Sequence, residues 1–159
     1  MTNILFICHG NICRSPMAEF IMKDIVEKAG VSRRFFIASA ATSAEEIGNP
    51  VYPPAQRKLR KHGIDPSGKR AVRLRREDYV RYDYLIGMES ANIRRILAIT
   101  GGDPDAKLMR LLDVTAQPAD IADPWYSGDF DGAWRDIERG CRALYEKLCR
   151  EGSFAKLEA

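Results

Sequence analysis

Short unbroken apolar runs alternate along the chain with longer segments whose apolar positions recur every three or four residues. The first run, Ile4-Leu5-Phe6-Ile7, makes residues 3–8 a strand buried on both faces. A loop over residues 9–14 follows. Ser15-Pro16 then carries the signs of a helix start, with Ser15 as N-cap and Pro16 at the first helical position. Met17, Ile21 and Ile25, joined by Phe20, form a stripe at helical spacing, and Gly30 is placed to stop the helix. Residues 35–39 suit a second strand, 54–62 a helix ended by Gly63, 84–88 a strand, 90–98 a helix, and 107–112 the last strand. Residues 131–150 form a long amphipathic helix with Trp134, Ile137, Cys141, Leu144 and Leu148 on one face.

Strands that alternate with helices indicate an α/β fold, a doubly wound parallel sheet with helices on both faces. The chain has 159 residues, the size of one domain with one core, taken here as residues 1–159. In such sheets ligands bind beyond the carboxyl ends of the strands. The loop over residues 9–14 occupies that place.

The apolar and charged shares, 45% and 30%, are ordinary for a soluble globular protein. No apolar run approaches a membrane span, and the N-terminus lacks the basic start and long apolar stretch of a signal peptide. Cys8, Cys13, Cys141 and Cys149 form no C-x-x-C, and only His9 and His62 could join them, so no metal site is expected. Reduced thiols and a cytoplasmic location follow from the missing export signal. The net charge of +3 does not argue for nucleic acid, and no nucleic-acid motif accompanies it. Basic residues do cluster: Arg57, Lys58, Arg60, Lys61, Lys69, Arg70, Arg73, Arg75 and Arg76. A solvated face explains them, and so does an electrostatic funnel for an anionic substrate.

Cys8 and Arg14 form a C-x5-R pair, weak by itself but set across a strand-to-helix turn. A short loop entering a helix aims successive backbone N–H groups at one point, and the helix N-terminus adds positive potential. Gly10 permits close approach of backbone to ligand, and Asn11 tolerates a left-handed conformation that curls the loop. The planar fork of Arg14 suits two phosphate oxygens. The same field favours the thiolate of Cys8, a nucleophile for phosphorus. The plain alternative is an inert buried Cys at a strand end beside a capping Ser. A leaving oxygen needs a proton, and Asp123-Pro124-Trp125-Tyr126-Ser127-Gly128 offers a carboxylic acid on a turn. Pro124 biases Asp123 towards extended geometry, and Trp125 and Tyr126 are placed to wall an aromatic substrate. An ordinary turn before the final helix explains the same segment.

Cys8-His9-Gly10-Asn11-Ile12-Cys13-Arg14-Ser15-Pro16 resembles the signature of low-molecular-weight protein tyrosine phosphatases. The resemblance continues in Ser39-Ala40-Ala41-Thr42-Ser43, Ile47-Gly48-Asn49-Pro50, His62-Gly63-Ile64 and Asp123-Pro124-Trp125-Tyr126, in order along nearly the whole chain. It implies a flavodoxin-like, four-stranded sheet, with no metal and no cofactor. It also implies phosphotyrosine proteins or peptides as substrates and phosphate or other oxyanions as competitive ligands. Cys8 becomes the nucleophile, Arg14 the phosphate binder and Asp123 the general acid and then base. His9, Gly10, Asn11, Ile12, Cys13 and Ser15 surround the substrate, with Glu45, Trp125 and Tyr126 at its rim. Ser15 would hydrogen-bond the Cys8 sulfur, and Asn11 and Ser39 would join a network that supports the loop. The chain departs from the family where Ser67-Gly68-Lys69-Arg70-Ala71 replaces a His-x-Ala-Arg stretch, which removes the histidine that buttresses that network. Glu45 stands at a rim position often aromatic, and Trp125 where Tyr is more usual.

Three rivals remain on this reading. Arsenate reductases of this fold use resolving cysteines in mid-chain, and none lies between Cys13 and Cys141. Protein-arginine phosphatases tend to have Thr where Ile12 stands. A non-catalytic anion-binding module needs neither the thiol nor the acid.

Overall fold

The structure, a computed structural model, describes residues 1–152; the end of the expected domain, residues 153–159, lies outside the described residues. Four strands, β1 (Thr2–Cys8), β2 (Phe35–Ala41), β3 (Tyr84–Gly87) and β4 (Leu108–Arg110), form one parallel sheet in the order β2-β1-β3-β4. The first strand is central because it is the most apolar. Its neighbours pair from Thr2↔Phe35 to Cys8↔Ala41 on one side and from Ile4↔Tyr84 to Ile7↔Gly87 on the other. The period-two alternation of a strand sends Ile4, Phe6 and Cys8 into one core and Leu5 and Ile7 into the other. Each fully buried apolar side chain here is worth about 1.5–3 kcal/mol.

Helices cover both faces: α1 (Arg14–Lys28), α2 (Pro53–Lys61), α3 (Asp78–Arg81), α4 (Ser90–Thr100), α5 (Pro124–Ser127) and α6 (Phe130–Arg150). The apolar stripe of α6 packs against α1, burying Trp134, Ile137, Cys141, Leu144 and Leu148. At the end of α1, Gly30 takes φ +76°, so that Val31 N–H reaches the Val26 carbonyl at 2.9 Å and Gly30 N–H the Glu27 carbonyl at 3.0 Å. This closing turn needs a left-handed residue, and glycine supplies it without strain.

The structure corrects the expected start of the first helix. Cys13, not Ser15, holds the N-cap position, and Pro16 is the third helical residue rather than the first. The loop after β1 curls so tightly that Met17 N–H already bonds the Cys13 carbonyl at 3.1 Å. Proline is tolerated anywhere in a first turn, where its missing N–H has no intrahelical acceptor. The Ser15 hydroxyl is thereby released from capping. The last strand is also shorter than residues 107–112. Asp113 accepts from the Arg110 backbone N–H at 2.8 Å and from its guanidinium, turning residues Leu111–Val114 into a 3-10 turn. Smaller shifts follow from side-chain caps. Asn92 Oδ1 takes the Met88 N–H at 2.9 Å and ends the third strand at Gly87, and Asp129 caps α6 one residue early. The helix over 90–98 runs on to Thr100 before Gly101 stops it.

Candidate active site

The central strand delivers Cys8 to the carboxyl edge of the sheet, and the following loop is stapled on both sides. Thr42 N–H bonds the Cys8 carbonyl at 2.9 Å, Ser43 N–H the His9 carbonyl at 3.0 Å, and Tyr52 N–H the Ile12 carbonyl at 2.8 Å. Asn11 adopts φ +60°, a left-handed conformation that costs about 1–3 kcal/mol outside glycine. Its side chain offsets that strain with three hydrogen bonds. Nδ2 donates to Ser15 Oγ at 2.8 Å and to Ser39 Oγ at 2.9 Å, and Oδ1 accepts from Val72 N–H at 3.1 Å. Ser15 Oγ lies 3.0 Å from Cys8 Sγ.

Arg14 enters α1 with its guanidinium buried and held from three directions. Nη1 donates to the Ile121 carbonyl at 2.8 Å, and carboxylate oxygens of Glu89 and Asp123 each stand 3.3 Å away. The fork is therefore oriented before any ligand arrives, which lowers the ordering cost of binding an oxyanion. Asp123 is the N-cap of α5, and its Oδ1 accepts from Trp125 N–H at 3.0 Å. Behind it Trp125 leans on Tyr52, ring centroids 4.6 Å apart, and Tyr52 on Phe130 at 6.1 Å.

These parts enclose one cleft. Buried Cys8, Ile12, Cys13 and Arg14 form its floor with Gly10. The exposed rings of Trp125 and Tyr126 stand on one side with Asp123, and His9, Glu45 and Glu46 on the other. His9 Nε2 and Glu45 Oε2 lie 3.2 Å apart at this rim. Asn11 and Ser15, expected beside the substrate as well as in support of the loop, have their side chains buried beneath the cleft and engaged in the support network. Ser39 is buried there too and accepts from Asn11 Nδ2.

Burial pushes the Cys13 thiol far up, and the charges of Cys8 and Asp123 add to the effect, so Cys13 stays protonated. Burial does the same to Cys141, which is sealed in the core against the Ala18 carbonyl. Cys141 lies in the core and does not line the cleft that holds Cys8.

Sequence reasoning missed Glu19, Glu46, Tyr52, Glu89 and Ile121 at this site. All but one reach it from distant parts of the chain. Glu19 carried a local signal, as a carboxylate inside the apolar stretch Met17-Ala18-Glu19-Phe20-Ile21. The basic cluster is mixed. Lys58 pairs with Asp131, Arg60 with Asp65 at 3.3 Å and Lys69 with Glu19 at 3.4 Å.

Comparison with known proteins decides what the cleft belongs to. Residues 3–154 match the family described as low molecular weight phosphotyrosine protein phosphatase. The chain belongs to this family. Among its relatives, the Bacillus subtilis low molecular weight protein-tyrosine-phosphatase YfkJ is 36% identical, over 95% of this chain and 98% of that one. The human low molecular weight phosphotyrosine protein phosphatase is 35% identical, over 91% and 94%. The crystal structure of YfkJ superposes with a TM-score of 0.91, covering 95% and 96% of the two chains. That of a Drosophila arginine phosphatase is 26% identical with a TM-score of 0.83, covering 93% and 98%. As a low molecular weight protein-tyrosine-phosphatase, this chain is an enzyme that acts on phosphoproteins. Among the described residues no helix is long and apolar enough to cross a membrane.

Proposed function

We propose that this phosphatase works through Cys8, Arg14 and Asp123. The Cys8 thiolate attacks phosphorus in line. The S–P bond forms as the P–O bond to the tyrosyl oxygen breaks, and Asp123 gives that oxygen its proton. Water then attacks the phosphocysteine. Asp123 takes the water's proton, the S–P bond breaks, and phosphate leaves with Cys8 again a thiolate. Arg14 and the loop amides hold the charge on the equatorial oxygens throughout. Ser15 donates to the sulfur and eases its departure. The observation that carries this reading is the convergence of a sulfur, an oriented guanidinium and a carboxylate on one cleft, with Asp123 only 3.3 Å from Arg14.

The deciding experiment is hydrolysis of a generic aryl phosphate without added metal, by wild type and Cys8→Ser. The variant keeps Arg14 and the amide cradle, so it should bind phosphate or vanadate and turn nothing over. Appreciable turnover by folded Cys8→Ser overturns the covalent route.

Phosphotyrosine is the substrate that suits the cleft. Its reacting atoms lie at the bottom, and the exposed rings of Trp125 and Tyr126 offer a face to an aryl group. A second reading, phosphoarginine, is favoured by the likeness to the Drosophila arginine phosphatase. Ile12, bulky and β-branched on the cleft floor, stands against it. Equal kcat/KM on phosphoarginine and phosphotyrosine would move the assignment. Four free cysteines, one of them the nucleophile, suit a reducing compartment, and the cytoplasm is where we place the enzyme.

A further inference from the structure

One buried charge takes no part in the chemistry above. Glu19 lies on α1 with its carboxylate nearly sealed from solvent. Two ammonium groups reach it, Lys23 Nζ at 2.6 Å and Lys69 Nζ at 3.4 Å. Lys23 is on the same helix and half exposed, whereas Lys69 comes from a separate loop and is largely buried. Tyr82, whose phenol is pushed up mainly by burial, is a further titratable group under the influence of this carboxylate. Lys69 Nζ also donates to the Ser39 carbonyl at 3.0 Å. It thus ties its own loop to β2 and to α1 at one point.

The hydrogens of the adjoining network can be followed one by one. Ser39 Oγ donates its only hydrogen to Glu19 Oε1 at 2.6 Å, so towards Asn11 it can only accept. Asn11 is committed in turn, because the Val72 N–H occupies its Oδ1 and turns both Nδ2 hydrogens to the serines. Ser15 Oγ accepts one of those hydrogens. Its own hydroxyl hydrogen is left for the Cys8 sulfur 3.0 Å away. A buried network with every member satisfied has one arrangement of its hydrogens: donation diverges from Asn11, towards Glu19 on one side and Cys8 on the other, and the Glu19 charge helps to fix it.

We propose that the Glu19–Lys69 pair is a positioning device for the nucleophile: it fixes this arrangement so that Ser15 donates to Cys8. Lys69 acts where the resemblance leaves the loop without its histidine. It holds two ends of the arrangement, the carboxylate that orients Ser39 and the loop that carries the Val72 N–H to Asn11. Without the ammonium, the buried carboxylate loses a cationic partner from outside its own helix, and Ser39 is free to turn its hydrogen elsewhere. Asn11, held left-handed by these contacts, then loses its fixed orientation.

The inference rests on Cys8 as the nucleophile, but its test reads the sulfur directly, so the two can fail separately. The rate of Cys8 alkylation by iodoacetate is measured against pH in wild type, Lys69→Met, Lys69→Gln and Lys69→Arg, beside kcat and KM for an aryl phosphate. Loss of the charge should move the alkylation profile to higher pH and lower kcat about 10- to 100-fold with little change in KM, the scale of a misplaced reacting group. Lys69→Arg should restore most of both. Thermal melts show which variants fold, and Lys69→Gln, which keeps a donor to the Ser39 carbonyl, carries the test where Lys69→Met does not. A folded Lys69→Met or Lys69→Gln with wild-type alkylation profile and kcat overturns the proposal. So does a loss confined to melting temperature and unrestored by Lys69→Arg.

Discussion

Asp123 serves two partners with two oxygens: one takes the Trp125 N–H, the other faces Arg14. This leaves the carboxyl aimed at the cleft without a rotamer to spare. Asp123→Ala should lower kcat about 10²–10⁴-fold, the range for a general acid. The loss should shrink for aryl phosphates whose phenols are acidic enough to leave unprotonated. An equal loss across leaving groups would take the role from Asp123. Thr42 is a residue of the opposite kind. Its hydroxyl is buried next to the loop and finds no partner among the described residues. An unsatisfied buried hydroxyl costs about 1–3 kcal/mol, so the isosteric Thr42→Val should stabilise the protein by about 1 kcal/mol in urea unfolding. A loss of stability would show that the hydroxyl has a partner. Cys8, Arg14 and Asp123 could be named as candidates from the sequence because the strand-to-helix setting of the C-x5-R pair and the family resemblance single them out. Glu89 and Ile121 could not, because a carboxylate after a strand and a backbone carbonyl carry no signature until the fold brings them to Arg14.

Elements with a strong apolar period were read within a residue or two, since burial of one face decides both the period and the structure. The first strand and the long last helix are the clearest cases. What escaped were short pieces made by side chains. The Asp113 clamp on Arg110 and the four-residue α5 under the Asp123 cap are held by a few local polar contacts that leave no period. The start of α1 failed for a related reason. Ser15-Pro16 is a sound capping pattern, and it was outcompeted by a loop whose tight curl needed the Ser15 hydroxyl elsewhere. In α6, Gly140 has a packing reason that its helix propensity hides. A Cβ there would stand 2.5 Å from Leu111 Cγ. Gly140→Ala gains up to about 1 kcal/mol of helix propensity, yet should destabilise the protein by about 1–3 kcal/mol in urea, because the 3-10 turn must move away. A more stable variant would mean that Leu111 yields without cost.

Over the whole molecule the charges work against one another. The chain carries a net charge of +3, while the cleft is lined by Glu45 and Glu46. Long-range attraction favours anionic phosphoproteins, while the rim disfavours acidic residues next to the phosphotyrosine. Phosphotyrosine peptides with basic flanks should therefore have kcat/KM about 2- to 5-fold above those with acidic flanks, the worth of one exposed charge contact. Glu45→Gln should narrow the gap, and an unchanged ratio would leave Glu45 without a part in selectivity. The acid side of the stability curve follows from four carboxylates held below their usual range: Asp131 by the Lys58 ammonium, Glu151 by Lys147, Asp65 by the Ser67 backbone N–H, and Asp120, against the opposing effect of burial, by Arg110 and Ser90. A depressed folded value gives stability that is present above the unfolded value and lost as pH falls through the folded one. Melting temperature should thus hold from neutrality down to about pH 5 and decline below about pH 4, and only modestly on account of these exposed groups. A steady fall beginning near pH 6 would point to a different titrating group.

The order of the sheet also sets an order in time. Cys8 and its loop are translated first, whereas Asp123 and the Ile121 carbonyl that steadies Arg14 come 115 and 113 positions after Cys8. At roughly 5–20 residues per second the interval is about 6–23 s. A growing chain thus carries Cys8 and Arg14 well before it carries Asp123, and α6, which packs against α1, is later still. The contacts that hold the loop and orient Arg14 come from residues 42–123, so the site is assembled only after these are made, and a shorter chain has no acid for the proposed turnover.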